Sequence, residues 1–225
     1  SRMPKFEPHK GPAVPSYIAA TKARLLFMPI PGGPEAAVVN WLAPLGEAAP
    51  DALETNMNQK RLRQWKRAHP GHRSFTVLRH PLSRAHGVFC SLLQPEGQRA
   101  NHRIREAIAH QFKLKLPTET VGLSVEDHRH AFSVFLDFAQ ANMSGQTALG
   151  PDPALRSQSS IMAGFGEFAL PDFVLREGEL SRMLPLLVDL SGGVVDAAIP
   201  AADPDQPISL SDICDDALDA KAARD

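Results

Sequence analysis

FTVLRHPLSRAHGVFCSLL, residues 75–93 of the chain, decides the fold class. The apolar run Phe75–Leu78 predicts a strand, and the amphipathic segment from Pro81 to Leu93 predicts a helix. Arg79 stands between them, at the carboxyl end of the strand and beside the helix N-terminus. Ligands, above all anionic ones, bind at this place in open α/β sheets. We therefore expect Arg79 either at an anion-binding turn or, more simply, in a salt bridge at a strand end.

A similar unit precedes this stretch. The short apolar run Leu25–Ile30 is bounded by proline and fits a buried strand of a parallel sheet. A Pro-Gly-Gly-Pro turn at 31–34 follows, and Glu35–Leu42 predicts a helix. The backbone N–H groups of Gly32 and Gly33 could wrap an anion, or the two glycines could form a plain turn.

The rest of the chain continues the alternation of strands and helices. Helices are predicted over 51–68, 101–114, 124–143, 177–190 and 209–223, and a strand over 168–176. Strands separated by helices are typical of an α/β protein with a central, mainly parallel sheet flanked by helices. We expect one such domain over 22–225, preceded by an extended proline-rich arm over 1–21.

Composition excludes several classes of function. The 225 residues carry a net charge of -1, so no overall field attracts nucleic acid. No apolar run approaches the ~20 residues that span a bilayer. The two cysteines, Cys90 and Cys214, are distant in sequence and do not form a disulfide framework, which favours a cytoplasmic protein.

Residues 79–93 also resemble a known family. Arg79, Pro81 and Arg84 match the strand-end turn and helix with which sulfotransferases bind 3'-phosphoadenosine 5'-phosphosulfate (PAPS). Within that family, the chain resembles the bacterial and carbohydrate-type sulfotransferases. The resemblance covers roughly residues 22–192. It implies a P-loop-like, three-layer fold and transfer of a sulfuryl group from PAPS to a hydroxyl of a carbohydrate or small-molecule acceptor, leaving 3'-phosphoadenosine 5'-phosphate (PAP).

The resemblance also assigns roles to residues. Arg79, with Arg84 and the position of Gly87, would hold the 3'-phosphate of the donor. The Gly32–Gly33 loop would face its 5'-phosphosulfate. Ser157 lies in Arg156-Ser157-Gln158, which is similar to a Pro-Gln-Ser segment beside the donor. The remaining role is that of the catalytic base, for which the interval between the two motifs offers His69 and His72.

Three residues depart from the family pattern. Gly32 stands where the first loop carries Lys, and Glu35 stands near the expected Ser or Thr. Gly87 lacks the hydroxyl that would meet the 3'-phosphate. A carboxylate at Glu35 favours the helix start but repels a phosphosulfate. The sequence thus leaves open a second interpretation, a catalytically inactive relative that acts as a binding or assembly module.

Two other clusters have simpler explanations. The basic run Lys60–Arg67 could attract an anion, but such runs are usually the solvated face of a helix. His128 and His130 are two residues apart on a predicted helix and so point to different faces. No Cys or acid is spaced to complete a metal site with them, and no metal is predicted.

Overall fold

The computed structural model describes residues 17–43, 53–94, 101–118, 123–166, 169–195 and 208–213. These ranges form an α/β structure around a five-stranded mixed sheet with the order β3-β1-β2-β4-β5. The strands are β1 (Ile18–Ala20), β2 (Leu25–Phe27), β3 (Leu53–Glu54), β4 (Arg73–Leu78) and β5 (Phe173–Arg176).

The directions of the strands show which edge of the sheet holds the carboxyl ends of the parallel strands. β2 pairs in parallel with β4, and β4 pairs in parallel with β5. β1 is antiparallel to both β2 and β3, so among the described strands it alone opposes the common direction. The carboxyl ends of β2, β4 and β5 therefore meet at one edge of the sheet, as a mainly parallel sheet predicts.

The described helices are numbered here in chain order. They are α1 (Glu35–Leu42), α2 (Gln59–Ala68), α3 (Pro81–Leu93), α4 (His102–Gln111), α5 (Val125–Met143), α6 (Gln158–Phe165), α7 (Leu180–Ser191) and α8 (Leu210–Ile213), with a 3₁₀ turn at Glu177–Glu179 before α7. Asn58 and Ser124 cap α2 and α5, because each side chain accepts a backbone N–H of the first turn.

Helices pack on both faces of the sheet, since alternate residues of each strand point to opposite sides. Phe27 and Phe75 face α1 and α7, where they meet Trp41 and Leu184 in one buried cluster. On the other face, Leu26, Met28 and Ile30 pack against α2 and α6. A third cluster, built on Phe89, Phe132 and Phe135, joins α3, α4, α5 and α8.

Most predicted elements are present, with three corrections. The helix predicted over 51–68 begins only at Gln59, because Leu53 and Glu54 pair with β1 as an edge strand. Of the strand predicted over 168–176, the described part, 169–176, is a strand only at Phe173–Arg176. The predicted arm ends earlier than expected, because β1 is buried in the sheet. Residues 1–16 of that arm, most of the predicted last helix and Cys214 lie outside the described residues.

Candidate functional site

The candidate site lies where β2, β4 and β5 end. Leu78 of β4 and Arg176 of β5 are partners in the parallel ladder. The residues that follow them, Arg79 and Glu177, therefore leave the sheet side by side. The turn after β2 lies next to them, because Gly32 packs against α3. Strand register thus brings the three turns of the parallel strands together.

Arg79 forms a two-point ion pair with Glu177. Its Nε donates to Glu177 Oε2 at 2.8 Å, and its Nη2 donates to Oε1 at 2.7 Å. The Arg79 side chain is 13% exposed and that of Glu177 is 36% exposed. Such planar, bidentate geometry is how arginine also binds phosphate. A carboxylate of the protein itself occupies the donor face that a phosphate would use.

The backbone of Arg79 is fixed by Gln158. The Gln158 amide nitrogen donates to the Arg79 carbonyl at 2.7 Å, and its amide oxygen accepts the Arg79 N–H at 3.1 Å. Gln158 is the first residue of α6, whose N-cap is Ser157. The turn after β4 is therefore anchored to the start of α6, which holds the predicted site residue Ser157 close to the same edge.

Arg84 is buried, and its guanidinium donates hydrogen bonds to three backbone carbonyls. It donates through Nε to Pro31 at 2.7 Å, through Nη1 to Arg156 at 2.8 Å and through Nη2 to Ala154 at 2.9 Å. Burial lowers its pKa to about 10, so it remains a cation at neutral pH. Arg84 thus joins the turn after β2, helix α3 and the segment before α6.

The Gly32–Gly33 turn is closed by packing. Gly32 has φ of +78°, and a Cβ there would lie 2.8 Å from Val88 Cγ2. A Cβ at Gly33 would lie 2.9 Å from the Ile30 carbonyl oxygen, which already accepts the Gly33 N–H. A lysine at position 32 therefore does not fit this backbone.

Gly87 lies in α3, the helix that follows β4, and Glu35 lies in α1, the helix that follows β2. A Cβ at Gly87 would lie 3.6 Å from Arg79 Nη1, an ordinary contact distance, so a small side chain has room there. Glu35 is exposed in the first turn of α1, where its charge suits the helix dipole. The predicted positions Arg79, Arg84, Gly32 and Gly87 are thus brought together. Arg79 is paired with Glu177, and Arg84 donates to backbone carbonyls.

A pocket of about 270 Å³ adjoins this edge. Val88 of α3 and Phe135 and Ala139 of α5 contribute apolar walls, whereas Arg156 and Ser157 lie on the polar side, at the start of α6. The volume is near the lower end, about 300 Å³, of sites that bind small molecules. The pocket can therefore accept a compact ligand with an apolar body and a polar end.

His69 and His72, the predicted candidates for the base, lie elsewhere. Both precede β4, and at ~3.3 Å per extended residue His72 is roughly 20 Å from Arg79. His69 stacks on Trp65 with 4.5 Å between ring centroids, and His72 meets the same indole edge-on. Burial is the main cause that lowers the pKa of His72. The structure does not bring either histidine to the arginine turn.

The structure also shows where the basic run Lys60–Arg67 and the pair His128 and His130 lie. In the basic run, Leu62 and Trp65 are buried while Arg63 and Arg67 are exposed, as expected for a solvated helix face. His128 is buried and His130 is exposed on the opposite side of α5. His128 meets His86 and Cys90 of α3, a grouping that the sequence did not suggest. The sequence indicates only part of this group: His86 and Cys90 are four residues apart, so they share one face of the predicted helix.

Comparison with known proteins adds no relative. No family model matches the chain, and neither the curated proteins nor the solved structures contain a match. Within the described ranges, no helix has the length and apolar character to cross a bilayer.

Proposed function

We propose that this chain is a non-transferring relative of the sulfotransferases that acts as a small-molecule binding module. Its sheet would then be a diverged form of the P-loop-like, three-layer fold of that family. One observation carries the proposal: the Arg79 guanidinium, the expected anchor of the donor 3'-phosphate, is held by both oxygens of Glu177.

The electrostatics of this pair supports the proposal. A phosphate that approached Arg79 would have to displace a carboxylate already bound at 2.7 and 2.8 Å. If Glu177 stayed nearby, two anions would then share one cation, which disfavours the complex. Arg84 is a poor substitute, because three of its five N–H groups already bind the carbonyls of Pro31, Ala154 and Arg156.

The pocket between α3, α5 and the start of α6 is the proposed binding site. Its walls favour an apolar body, because burial of each CH₂ group contributes about 0.8 kcal/mol. Its polar side, at Arg156 and Ser157, favours an anionic or hydrogen-bonding end. We therefore propose a compact amphipathic acid as the ligand class, with decanoate as a probe of this chemistry.

Thermal shift and calorimetry with decanoate test this assignment, with decanol as the uncharged comparison. Decanoate should raise Tm, and decanol should bind more weakly. Ala85→Phe introduces a ring at a residue that lines the pocket and should abolish binding. Gln140→Phe places the same ring at an exposed position of α5 and should preserve it. Binding unchanged by Ala85→Phe would remove the pocket from the proposal.

A second candidate is the active enzyme, which would transfer a sulfuryl group from PAPS to a carbohydrate or small-molecule hydroxyl. It is favoured by the convergence of Arg79, Gly32 and Gly87 at the carboxyl ends of parallel strands. This function requires that Glu177 release Arg79 when the donor binds, and that a base other than His69 or His72 serve the acceptor. Tight binding of PAP to the wild-type chain would favour it.

A further inference from the structure

A buried group of three potential metal ligands joins α3 to α5. His86 and Cys90 lie one helical turn apart on α3, and His128 lies in the first turn of α5. Their exposed fractions are 4%, 4% and 3%. One ligand atom from each residue lies within 4.8 Å of the other two. This group lies outside the arginine turn and does not line the pocket described above.

The distances are close to those of a metal centre. His86 Nε2 is 2.9 Å from His128 Nε2 and 3.5 Å from Cys90 Sγ. Around a tetrahedral zinc ion with bonds of about 2.0–2.3 Å, two nitrogens lie roughly 3.3 Å apart, and nitrogen and sulfur lie roughly 3.5 Å apart. The sulfur–nitrogen distance already fits. The two imidazole nitrogens are a few tenths of an ångström closer than this, and the ligand atoms of Cys90 and His128 lie within 4.8 Å of each other.

A simple hydrogen bond between the imidazoles is the competing explanation. Two neutral Nε2 atoms can share one proton, and the rings of Phe89 and Phe132 pack against His86. The thiol of Cys90 lies one helical turn from His86 on the same face of α3 and also approaches that Nε2 atom. A cation at the centre of the group would accept electron pairs from all three atoms, whereas the proton between the imidazoles joins only the two nitrogens.

Binding of such an ion requires neutral imidazoles and a deprotonated thiol. Burial lowers the pKa of His86 to about 4 and also lowers the pKa of His128. Burial raises the pKa of Cys90 to about 12, so the free thiol keeps its proton. Metal binding would form the metal–sulfur bond and release this proton to solvent.

We propose that His86, Cys90 and His128 form a three-ligand site for a thiophilic d¹⁰ cation, Zn²⁺ or Cu⁺. Two imidazoles and one thiolate are ligands that both ions accept. With Zn²⁺ the fourth coordination position stays open to water or an added ligand. With Cu⁺ the thiolate cancels the charge of the ion, which suits the surrounding apolar cluster. The bound ion would fasten α3 to α5, the helices that wall the pocket.

Cobalt titration of the chelator-treated, reduced full-length chain tests the site. One equivalent of Co²⁺ should bind and produce a thiolate-to-cobalt charge-transfer band together with the intense visible bands of a tetrahedral site. About one proton should be released per ion bound. Because these signals come from the wild-type protein, they do not depend on a variant that folds. Their absence from the folded wild-type chain, together with no binding of Zn²⁺ or Cu⁺, would overturn the proposal.

Matched variants test which residues bind the cobalt ion that produces these bands. Cys90→Ser should remove the charge-transfer band, whereas Cys214→Ser should keep it. His128→Gln should weaken cobalt binding at least tenfold, whereas the exposed His130→Gln should leave it unchanged. A band that depends on Cys214 would contradict the assignment. Displacement of Co²⁺ by Zn²⁺, set against competition for Cu⁺ with a chromogenic chelator, then decides which of the two ions the site prefers.

Discussion

The Arg79 guanidinium and the Glu177 carboxylate meet through two parallel hydrogen bonds at the end of neighbouring parallel strands. Their position follows from the pairing of Leu78 with Arg176, which places the next residue of each strand at the same edge. The pair explains how a turn that resembles a phosphate-binding motif can be complete without a phosphate. Through this pair Arg79 joins the ends of β4 and β5.

The strength of this pair can be measured with a double-mutant cycle of Arg79→Met and Glu177→Gln. Since Arg79 is largely buried and the geometry is bidentate, we expect a coupling free energy of about 1–2 kcal/mol. The exposed pair of Arg61 and Glu54 is the control, with an expected coupling below about 1 kcal/mol. Urea unfolding of the single and double variants gives both values. Equal coupling in the two cycles would show that the Arg79 pair has no special role.

Arg84 should be more important for stability than for ligand binding. Arg84→Lys keeps the charge but cannot reach the carbonyls of Pro31, Ala154 and Arg156 together. We expect a loss of about 2–4 kcal/mol in the free energy of unfolding, because partly buried carbonyls lose their donors. Arg63→Lys, on the exposed face of α2, should change stability by less than about 0.5 kcal/mol. If Arg84→Lys leaves the free energy of unfolding unchanged, Arg84 does not stabilise the fold through these three carbonyls.

Gly32 should tolerate no side chain, for two separable reasons. Gly32→Ala combines a positive φ with a 2.8 Å approach to Val88 and should cost about 2–4 kcal/mol. Gly71→Ala has a φ of +87° but no atom within 4 Å, so it should cost only the backbone strain of about 1–2 kcal/mol. The difference between the two variants in denaturant unfolding measures the packing contribution. No difference would mean that the turn after β2 is not closed against α3.

Gly87→Ser should be tolerated and should not create a donor site. The new side chain has room beside Arg79 Nη1, and serine favours a helix over glycine, so stability should rise by about 0.5 kcal/mol. Gly164→Ser in α6, where a Cβ meets nothing within 4 Å, is the matched control. PAP should still fail to bind Gly87→Ser, because Glu177 continues to hold Arg79. Binding gained from this single change would show that only the hydroxyl was missing.

Local signals in the sequence predicted much of the framework. The helices predicted from Pro81 to Leu93 and over 124–143 are confirmed, with Pro81 as the first residue of α3 and Ser124 as the cap of α5. Gly192 follows the last residue of α7, close to the predicted end at residue 190. The helix start at Gln59 was missed, because the pairing of Leu53 with Ala20 in β1 is a non-local contact. Local propensity carries no information about such a pairing.

The site was less predictable for the same reason. Arg79 and Glu177 are far apart in sequence, and only the parallel register of β4 and β5 makes them partners. His128 meets His86 and Cys90 only because α3 and α5 pack together. The sequence could show which residues follow strands or share a helix face. It offered a salt bridge of Arg79 as the simpler alternative to an anion site, but it could not show that Glu177 would be the partner.

Calorimetric titration of PAP into the wild-type chain and Glu177→Gln tests the central claim most directly. The wild-type chain should show no binding up to millimolar PAP, because Glu177 occupies the guanidinium of Arg79. Glu177→Gln, which removes the competing charge, should gain measurable affinity that the further change Arg79→Ala abolishes. Micromolar binding of PAP to the wild-type chain, lost in Arg79→Ala alone, would contradict the account and establish a working donor site.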